Sequence, residues 1–548
     1  MFVFFITIFI TNFFYLILGK LLIKKFFVEN SNAVEASILG IIIASAISLL
    51  INFFFPLNII NNSIVLILIT VIFFLKKNYL KKKDFLFLII SSSICFFLIL
   101  FDNEYRPDAV LYHIPYTQII NENKIILGLS NLHFRFGHIS ILQYLSALNY
   151  NIFTNNHGIL IPLASIVSFF YVYFFNDILK FLRKKNSISL GKLFSLIIII
   201  YISYKINRYS EFGNDAPAHL FLFYVISKFI YLKSYNLKEI NFIYIISVFA
   251  FLNKIFFLFI FLLPSYLFFK NIKQYKKIFF SLSSLILFLW LIKNILVSGC
   301  IIYPIKKTCL TKLKWTDIET TKQVQIESEA WSKGWPQNKN SNLSIKEFAE
   351  NFNWLEAWFS VHFKFILKII IPFIIIITII FFIISSKKFG KKFYLVQFEY
   401  QKKYLILIIS ILGTFSFFFK YPIYRYGYSY LILTIFVLYI FFFRKINVSN
   451  FFIVCKIVFT LSITAIVSKQ FVRIYNNYEI KNFIPTHIFI NKENFKMKYE
   501  SFKINENFFA YYSLNECAYG LAPCTNYKEN INKINAEKKN TYILLFNK

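Results

Sequence analysis

Long, unbroken apolar runs separated by short polar segments dominate this chain. They fall at about 2–18, 34–55, 61–75, 84–101, 157–177, 190–204, 216–232, 239–253, 255–269, 278–298, 361–384, 402–419, 427–443 and 451–469. The apolar residues are continuous within each run and do not alternate. A barrel strand would alternate lipid-facing and lumen-facing positions, so the pattern predicts helices, each satisfying its own backbone groups inside lipid. The expected fold is an all-α polytopic membrane protein of about 12–14 transmembrane helices, with external loops and a small C-terminal extramembrane domain. The runs on either side of Lys254 are short for full crossings and predict a re-entrant or broken element. Residues 2–18 lack a basic leading segment and a small-residue cleavage site, so they read as the first span.

The polar segments orient the spans, because cytoplasmic loops carry an excess of Lys and Arg. Lys76, Lys77, Lys81, Lys82 and Lys83 mark one such loop, and Lys180, Arg183, Lys184 and Lys185 a second. Lys270, Lys273, Lys276 and Lys277 mark a third, Lys387, Lys388, Lys391 and Lys392 a fourth, and Arg444 with Lys445 a fifth. With these inside, segments 102–156, 205–215, 299–360, 420–426 and the tail all fall outside. The tail is polar and rich in Asn, Lys and Glu, with short apolar runs. The division is therefore a membrane domain over 1–469 and an external, mixed α/β domain over 470–548.

Composition changes this picture little. The chain has 548 residues and is 58% hydrophobic, with a mean hydropathy of +0.60. A soluble protein of that size could not hide so much apolar surface. The formal charge of +34 would suit nucleic acid, but most of the Lys and Arg sit in short runs between spans. That distribution reads as topology and attraction to anionic lipid, with no nucleic-acid partner. Phe, Ile, Asn and Lys are over-used throughout, so single Phe or Lys residues carry little functional signal.

Cysteines test the topology independently. Cys95 and Cys455 lie within spans, and Cys300, Cys309, Cys517 and Cys524 lie in segments placed outside. External cysteines predict disulfides in an oxidising compartment. Four cysteines leave three connectivities open, and the short loops favour Cys300–Cys309 and Cys517–Cys524. All six tryptophans lie between residues 290 and 358. Trp gathers at membrane interfaces, and it also offers a face for sugar C–H groups or a lipid tail. Trp331 and Trp335 are the pair best spaced for that second role.

The richest polar segment is Arg106 to His138, which gathers Asp108, Tyr112, His113, Asn131, His133, Arg135 and His138 just after an apolar run. Such groups cost stability at a membrane surface unless solvated or paired, so their clustering points to a site. Asp108 can accept a proton from a hydroxyl or hold a divalent cation; its alternative role is a helix N-cap. Tyr112 stands one helical turn from it. His113, His133 and His138 have no diagnostic metal spacing. Asp215 in SEFGNDAPAH is a second external carboxylate, and Lys254 is a lone cation between two short apolar runs. Arg425, in KYPIYRYGYSY, could clamp a phosphate through two parallel hydrogen bonds. Asp108, Asp215, Lys254, Arg135 and Arg425 come from distant parts of the chain, yet all fall on one predicted face.

At these residues the chain resembles the GT-C superfamily of polytopic membrane glycosyltransferases, within an uncharacterised bacterial branch. The motifs are PDAVLYHIP (107–115), GLSNLHFRFGH (128–138), FGNDAPAH (212–219), the Lys254 segment, IKNILVSGCIIYP (292–304) and PIYRYG (422–427). The resemblance implies sugar transfer from a polyprenyl-phosphate donor to a cell-envelope glycan or lipid acceptor at the periplasmic face of the bacterial inner membrane. It implies catalytic roles for Asp108, His113 and Asp215. Tyr112, Asn131, His133, Arg135, Lys254, Arg425, Trp331 and Trp335 would bind substrate. The chain departs from the family pattern in that its acidic loop follows the fourth span and lacks a paired acid, which leaves dependence on a divalent metal (magnesium or manganese) open. An O-antigen polymerase or ligase, and a flippase for a lipid-linked sugar, are the competing functions.

Overall fold

The computed structural model describes residues 2–27, 31–76, 80–100, 108–184, 188–205, 215–232, 236–272, 281–338, 342–386, 393–395, 400–443, 445–478, 499–506, 508–514, 517–518 and 520–548. Lys77, Lys185, Lys273, Lys276, Lys277, Lys387, Lys388, Lys391, Lys392 and Arg444 of the orienting loops lie outside the described residues, as does most of segment 205–215.

Every predicted span contains a helix. The fourteen that match the runs are Phe2–Phe26, Ala33–Phe54, Ile59–Leu75, Lys82–Ile99, Ile161–Lys184, Leu190–Lys205, Asp215–Tyr231, Leu237–Asn253, Leu262–Lys270, Leu282–Ser298, Lys364–Ser385, Tyr400–Lys420, Tyr424–Phe442 and Val448–Tyr478. Among the described residues, seven helical stretches are long and apolar enough to cross a bilayer unaided. The helices Leu190–Lys205, Asp215–Tyr231 and Leu237–Asn253 are shorter and almost wholly buried at the centre. Helices Ile59–Leu75, Lys364–Ser385, Tyr400–Lys420 and Val448–Tyr478 instead leave Ile, Leu, Phe and Val exposed along their length. An exposed apolar belt of that extent needs lipid around it. The molecule is an all-α polytopic membrane protein.

Helix pairs in lipid gain little from hydrophobicity, so close backbone contact holds them together. Phe2–Phe26 and Ala33–Phe54 meet through glycines. A Cβ on Gly19 would lie 1.7 Å from the Ala36 carbonyl oxygen, and one on Gly40 would lie 1.8 Å from that of Tyr15. Near the chain's centre, Leu237–Asn253 stops at Lys254, whose backbone is extended (φ −153°, ψ 113°). A 3₁₀ stretch, Ile255–Phe261, follows, and the chain resumes as Leu262–Lys270. The broken element expected from the sequence is there, and its break carries the lysine.

The two ends of the bundle differ. At one end Lys20 pairs with Asp84, Lys228 pairs with Glu35 at 2.5 Å, and Lys402 donates to the Leu232 carbonyl. The segments after Ser385 and before Val448 also meet there, Phe393–Leu395 running antiparallel to Lys445–Asn447. At the other end lie the segments read as external. There Lys469 donates to the carbonyls of Ser203 and Tyr204, and Arg473 donates to that of Phe97. The last helix runs on to Tyr478, past residue 470, and ordered strands begin at Glu500.

The tail forms two small sheets. Glu500–Asn505 pairs antiparallel with Phe508–Tyr512, which pairs in parallel with Cys524–Thr525. Ile534–Lys539 and Tyr542–Asn547 form a hairpin. The hairpin lies along the first external loop, where Leu127 N–H donates to the Ile543 carbonyl and Leu545 N–H donates to that of Leu127. Gly128, at φ +70°, makes room for it, since a Cβ there would sit 2.0 Å from the Leu545 carbonyl oxygen. Cys517 N–H donates to the Val110 carbonyl, and Lys314 pairs with Glu537. The tail thus folds onto the loops, not apart from them. Cys300–Cys309 and Cys517–Cys524 are disulfide-bonded, and Cys95 and Cys455 are buried free thiols.

Candidate functional site

Each charged group of the site sits where a helix begins or breaks. Asp108 opens a π-helical turn, Ala109–His113, and its side chain does not cap that turn. Asp215 is the first residue of Asp215–Tyr231, Lys254 sits at the break, and Arg425 lies in the first turn of Tyr424–Phe442. Helix ends reach the membrane surface, which is where charge is tolerated. The five groups expected on one face are brought together.

Two ion pairs form the centre. Arg425 Nη1 lies 3.5 Å from Asp108 Oδ2, and Lys254 Nζ pairs with Asp215 Oδ1. Tyr426 lies between them, with Lys254 Nζ 3.9 Å and the Arg425 guanidinium carbon 5.2 Å from its ring centre. The Asp108–Arg425 pair is about half exposed, and Lys254 is mostly covered. Tyr112 hydrogen-bonds Asp108, and burial together with that carboxylate pushes its hydroxyl pKa up. Tyr112 therefore stays protonated and is the donor in that hydrogen bond.

Arg135 reaches the same centre from the turn Phe134–His138. Its guanidinium carbon is 5.6 Å from the ring centre of Tyr112 and 4.9 Å from that of Phe134. Behind it are three histidines. Burial pushes the pKa of His113 down to about 4 and those of His133 and His138 down to about 3, with Arg135 adding to each fall. All three are therefore neutral at pH 7. His133 Nδ1 accepts from the Arg135 backbone N–H, and His113 Nδ1 accepts from the Gln143 amide.

Several of the expected site residues make contacts within the protein's own framework. His113 is buried, engaged by Gln143 and packed beside Tyr112, within electrostatic reach of Asp108 and Asp215. Asn131 is buried, its amide donating to the Trp315 and Leu545 carbonyls, so it ties three segments together and has no amide hydrogen left for a sugar. Trp335 packs on Phe348, and Trp331 is exposed. Neither contacts the charged centre; instead Trp358 donates to the Pro422 carbonyl and so fixes the segment that leads into Arg425. Lys293, fully buried, donates to the Ile139 carbonyl and fastens the first external loop to its helix.

Other site residues were not assigned from the sequence. His219 is buried four residues after Asp215. Its Nε2 donates to the Arg425 carbonyl, 2.8 Å away, so its Nδ1 accepts from the Ser429 hydroxyl at 2.6 Å. Its ring stacks on Tyr428. His219 thus holds the turn that carries Arg425. The i, i+4 spacing of Asp215 and His219 in FGNDAPAH was a usable signal. His362 lies within electrostatic reach of Arg425. Tyr527, from the tail, packs edge-on against His133 and Phe134 at 5.1 and 5.6 Å. Nothing local in the sequence links residue 527 to residue 133.

Among the described residues, no group of three or more His, Cys, Asp or Glu side chains is arranged to hold a metal ion. The donors available are two carboxylates, each already facing a cation. They do not fit a resident divalent metal.

A bundle of apolar helices with ion pairs at both ends defines a polytopic membrane protein. The chain belongs to the family described as a domain of unknown function, DUF8201, which it matches over residues 1–432. No curated protein and no solved structure matches it.

Proposed function

We propose that this protein is a membrane glycosyltransferase of the GT-C type. It would take a sugar from a polyprenyl-phosphate donor and deliver it to a cell-envelope glycan or lipid at the periplasmic face of a bacterial inner membrane. The observation that carries this reading is the pairing of Asp108 with Arg425 and of Asp215 with Lys254 around Tyr426, at the bundle end opposite the lysine-rich loops. Carboxylate and cation side by side suit a reaction that moves a proton and releases an anion.

In the proposed step the acceptor hydroxyl oxygen bonds to the anomeric carbon as the bond from that carbon to the donor phosphate oxygen breaks. The configuration inverts. Asp108 takes the hydroxyl proton, and the phosphate departs with the bonding electrons. Arg425 and Lys254 stabilise the charge growing on the leaving phosphate, as preorganised donors do at an oxyanion. Tyr112 orients Asp108 through its hydrogen bond. Charge at the ends of helices favours this reading over transport, which needs charged groups near mid-membrane depth.

The test is mass-spectrometric profiling of lipid-linked and surface glycans in a deletion strain rescued with wild type or with Asp108→Asn. Build-up of a polyprenyl-phospho-sugar and loss of one sugar from a glycan, reversed by wild type alone, supports the transferase. Full rescue by the variant removes Asp108 from the mechanism. A change in chain length with every sugar retained points to a polymerase or ligase.

A further inference from the structure

Three cations meet at the site, and two of them already face carboxylates. Arg135 makes no ion pair among the described residues. It is half-buried, with its guanidinium against Tyr112 and Phe134. Tyr527 stands opposite, against Phe134 and His133. Next to it, the Asn526 side chain reaches His133. The histidines behind are neutral at pH 7, so they neither cancel the charge nor add to it.

We propose that Arg135, Tyr112, Phe134 and Tyr527 form a recess for a monoanionic sugar of the acceptor, a hexuronate, with the C-terminal tail supplying one wall. The inference rests on the glycosyltransferase reading and narrows its acceptor. One unneutralised guanidinium matches one carboxylate, whose two oxygens fit its planar fork. A phosphate dianion there would carry one negative charge more than the single guanidinium of Arg135 supplies. Aromatic rings on either side suit the C–H faces of a pyranose. The recess adjoins the catalytic pair through Tyr112, which touches both Asp108 and Arg135. A sugar held there would present a hydroxyl toward Asp108. Tyr527 lies outside the residues matched to the family, so the acceptor preference belongs partly to this chain's tail.

The test is saturation-transfer NMR on the full chain in detergent. The probes are methyl β-glucuronide and methyl β-glucoside, alike except for the carboxylate, with inorganic phosphate as competitor. The glucuronide binds and the glucoside does not; Arg135→Gln weakens binding about tenfold, the loss of roughly one charge-assisted contact, and Tyr527→Ala about fivefold, the loss of one aromatic face. Tyr527 is exposed, so its variant separates recognition from folding, and the comparison of the two sugars needs no variant. Equal binding of both sugars, unchanged affinity in both variants, or displacement of the glucuronide by phosphate at lower concentration overturns the proposal. Glucuronide binding is read without turnover. Bound glucuronide with no transfer sinks the transferase and leaves the recess; intact transfer without binding sinks the recess alone.

Discussion

At the scale of single residues, the site spends most of its contacts on holding Arg425 and Asp215. His219 uses both ring nitrogens, one on the Arg425 carbonyl and one on Ser429. His219→Leu leaves a buried carbonyl and a buried hydroxyl unpaired, which costs about 2 kcal/mol. The expected result is a lower thermal midpoint in detergent together with lost sugar transfer; lost stability with full transfer would remove His219 as a positioning residue. Lys254 and Asp215 form the better-covered ion pair. Lys254→Met strands a carboxylate that is one-third exposed, so solvent offsets part of the cost and the loss is about 1–2 kcal/mol. Adding Asp215→Leu should restore most of the stability and none of the transfer. A double variant no more stable than Lys254→Met refutes the pairing.

At the scale of elements, backbone approach and helix breaks do what side-chain burial alone cannot. The first two helices touch through Gly19 and Gly40, where any Cβ would overlap a carbonyl oxygen. Gly40→Ala forces the pair apart, at a cost of about 2 kcal/mol for overpacking; a thermal midpoint equal to wild type would mean the contact is looser than described. The break after Asn253 has a different use. A continuous helix would keep residue 254 in the wall of the bundle, whereas the extended backbone at Lys254 lets its side chain reach Asp215. The break was legible in two runs too short to cross. The partner was not, because a lone lysine in an apolar stretch reads equally as one that snorkels to the surface. Likewise the spacing of Asp108 and Tyr112 in one helical turn was legible and their hydrogen bond follows from it.

At the scale of the whole molecule, the tail and the loops at its end of the bundle form one unit, tied by the Leu127 ladder, the Asn131 amide and the Tyr527 ring. That unit buries His113, His133 and His138 as neutral rings. Their pKa values fall from 6.5 in the unfolded chain to about 4, about 3 and about 3. Between those values the unfolded chain binds more protons, so stability is full above pH 6.5 and is lost as pH falls from 6.5 toward 3. Each ring contributes about 2 kcal/mol of that loss by pH 5. Hydrogen exchange at pH 7.5 and pH 5 should reveal loosening of residues 125–139 and 508–547 while the central helices stay protected. Equal protection of the loops at both values would contradict the burial of these rings.

The chain's local pattern decided everything that depends on the solvent. Runs of apolar residues long enough to span lipid set the helices, because backbone groups inside lipid must pair within one segment. Lysine-rich loops and external cysteines sorted the remaining segments onto two ends, and helix ends were the only low-cost places for charge. Those rules act over a few residues, so Asp108, Asp215, Lys254, Arg135 and Arg425 could be picked out without knowing how the helices pack. Which carboxylate faces which cation depends on helix packing and on a break in one helix, contacts between residues up to several hundred positions apart. That Gln143 engages His113, that the Asn131 amide ties three segments, that His219 holds the Arg425 carbonyl, and that Tyr527 packs against His133 are long-range contacts of the same kind, and only the tertiary structure decided them.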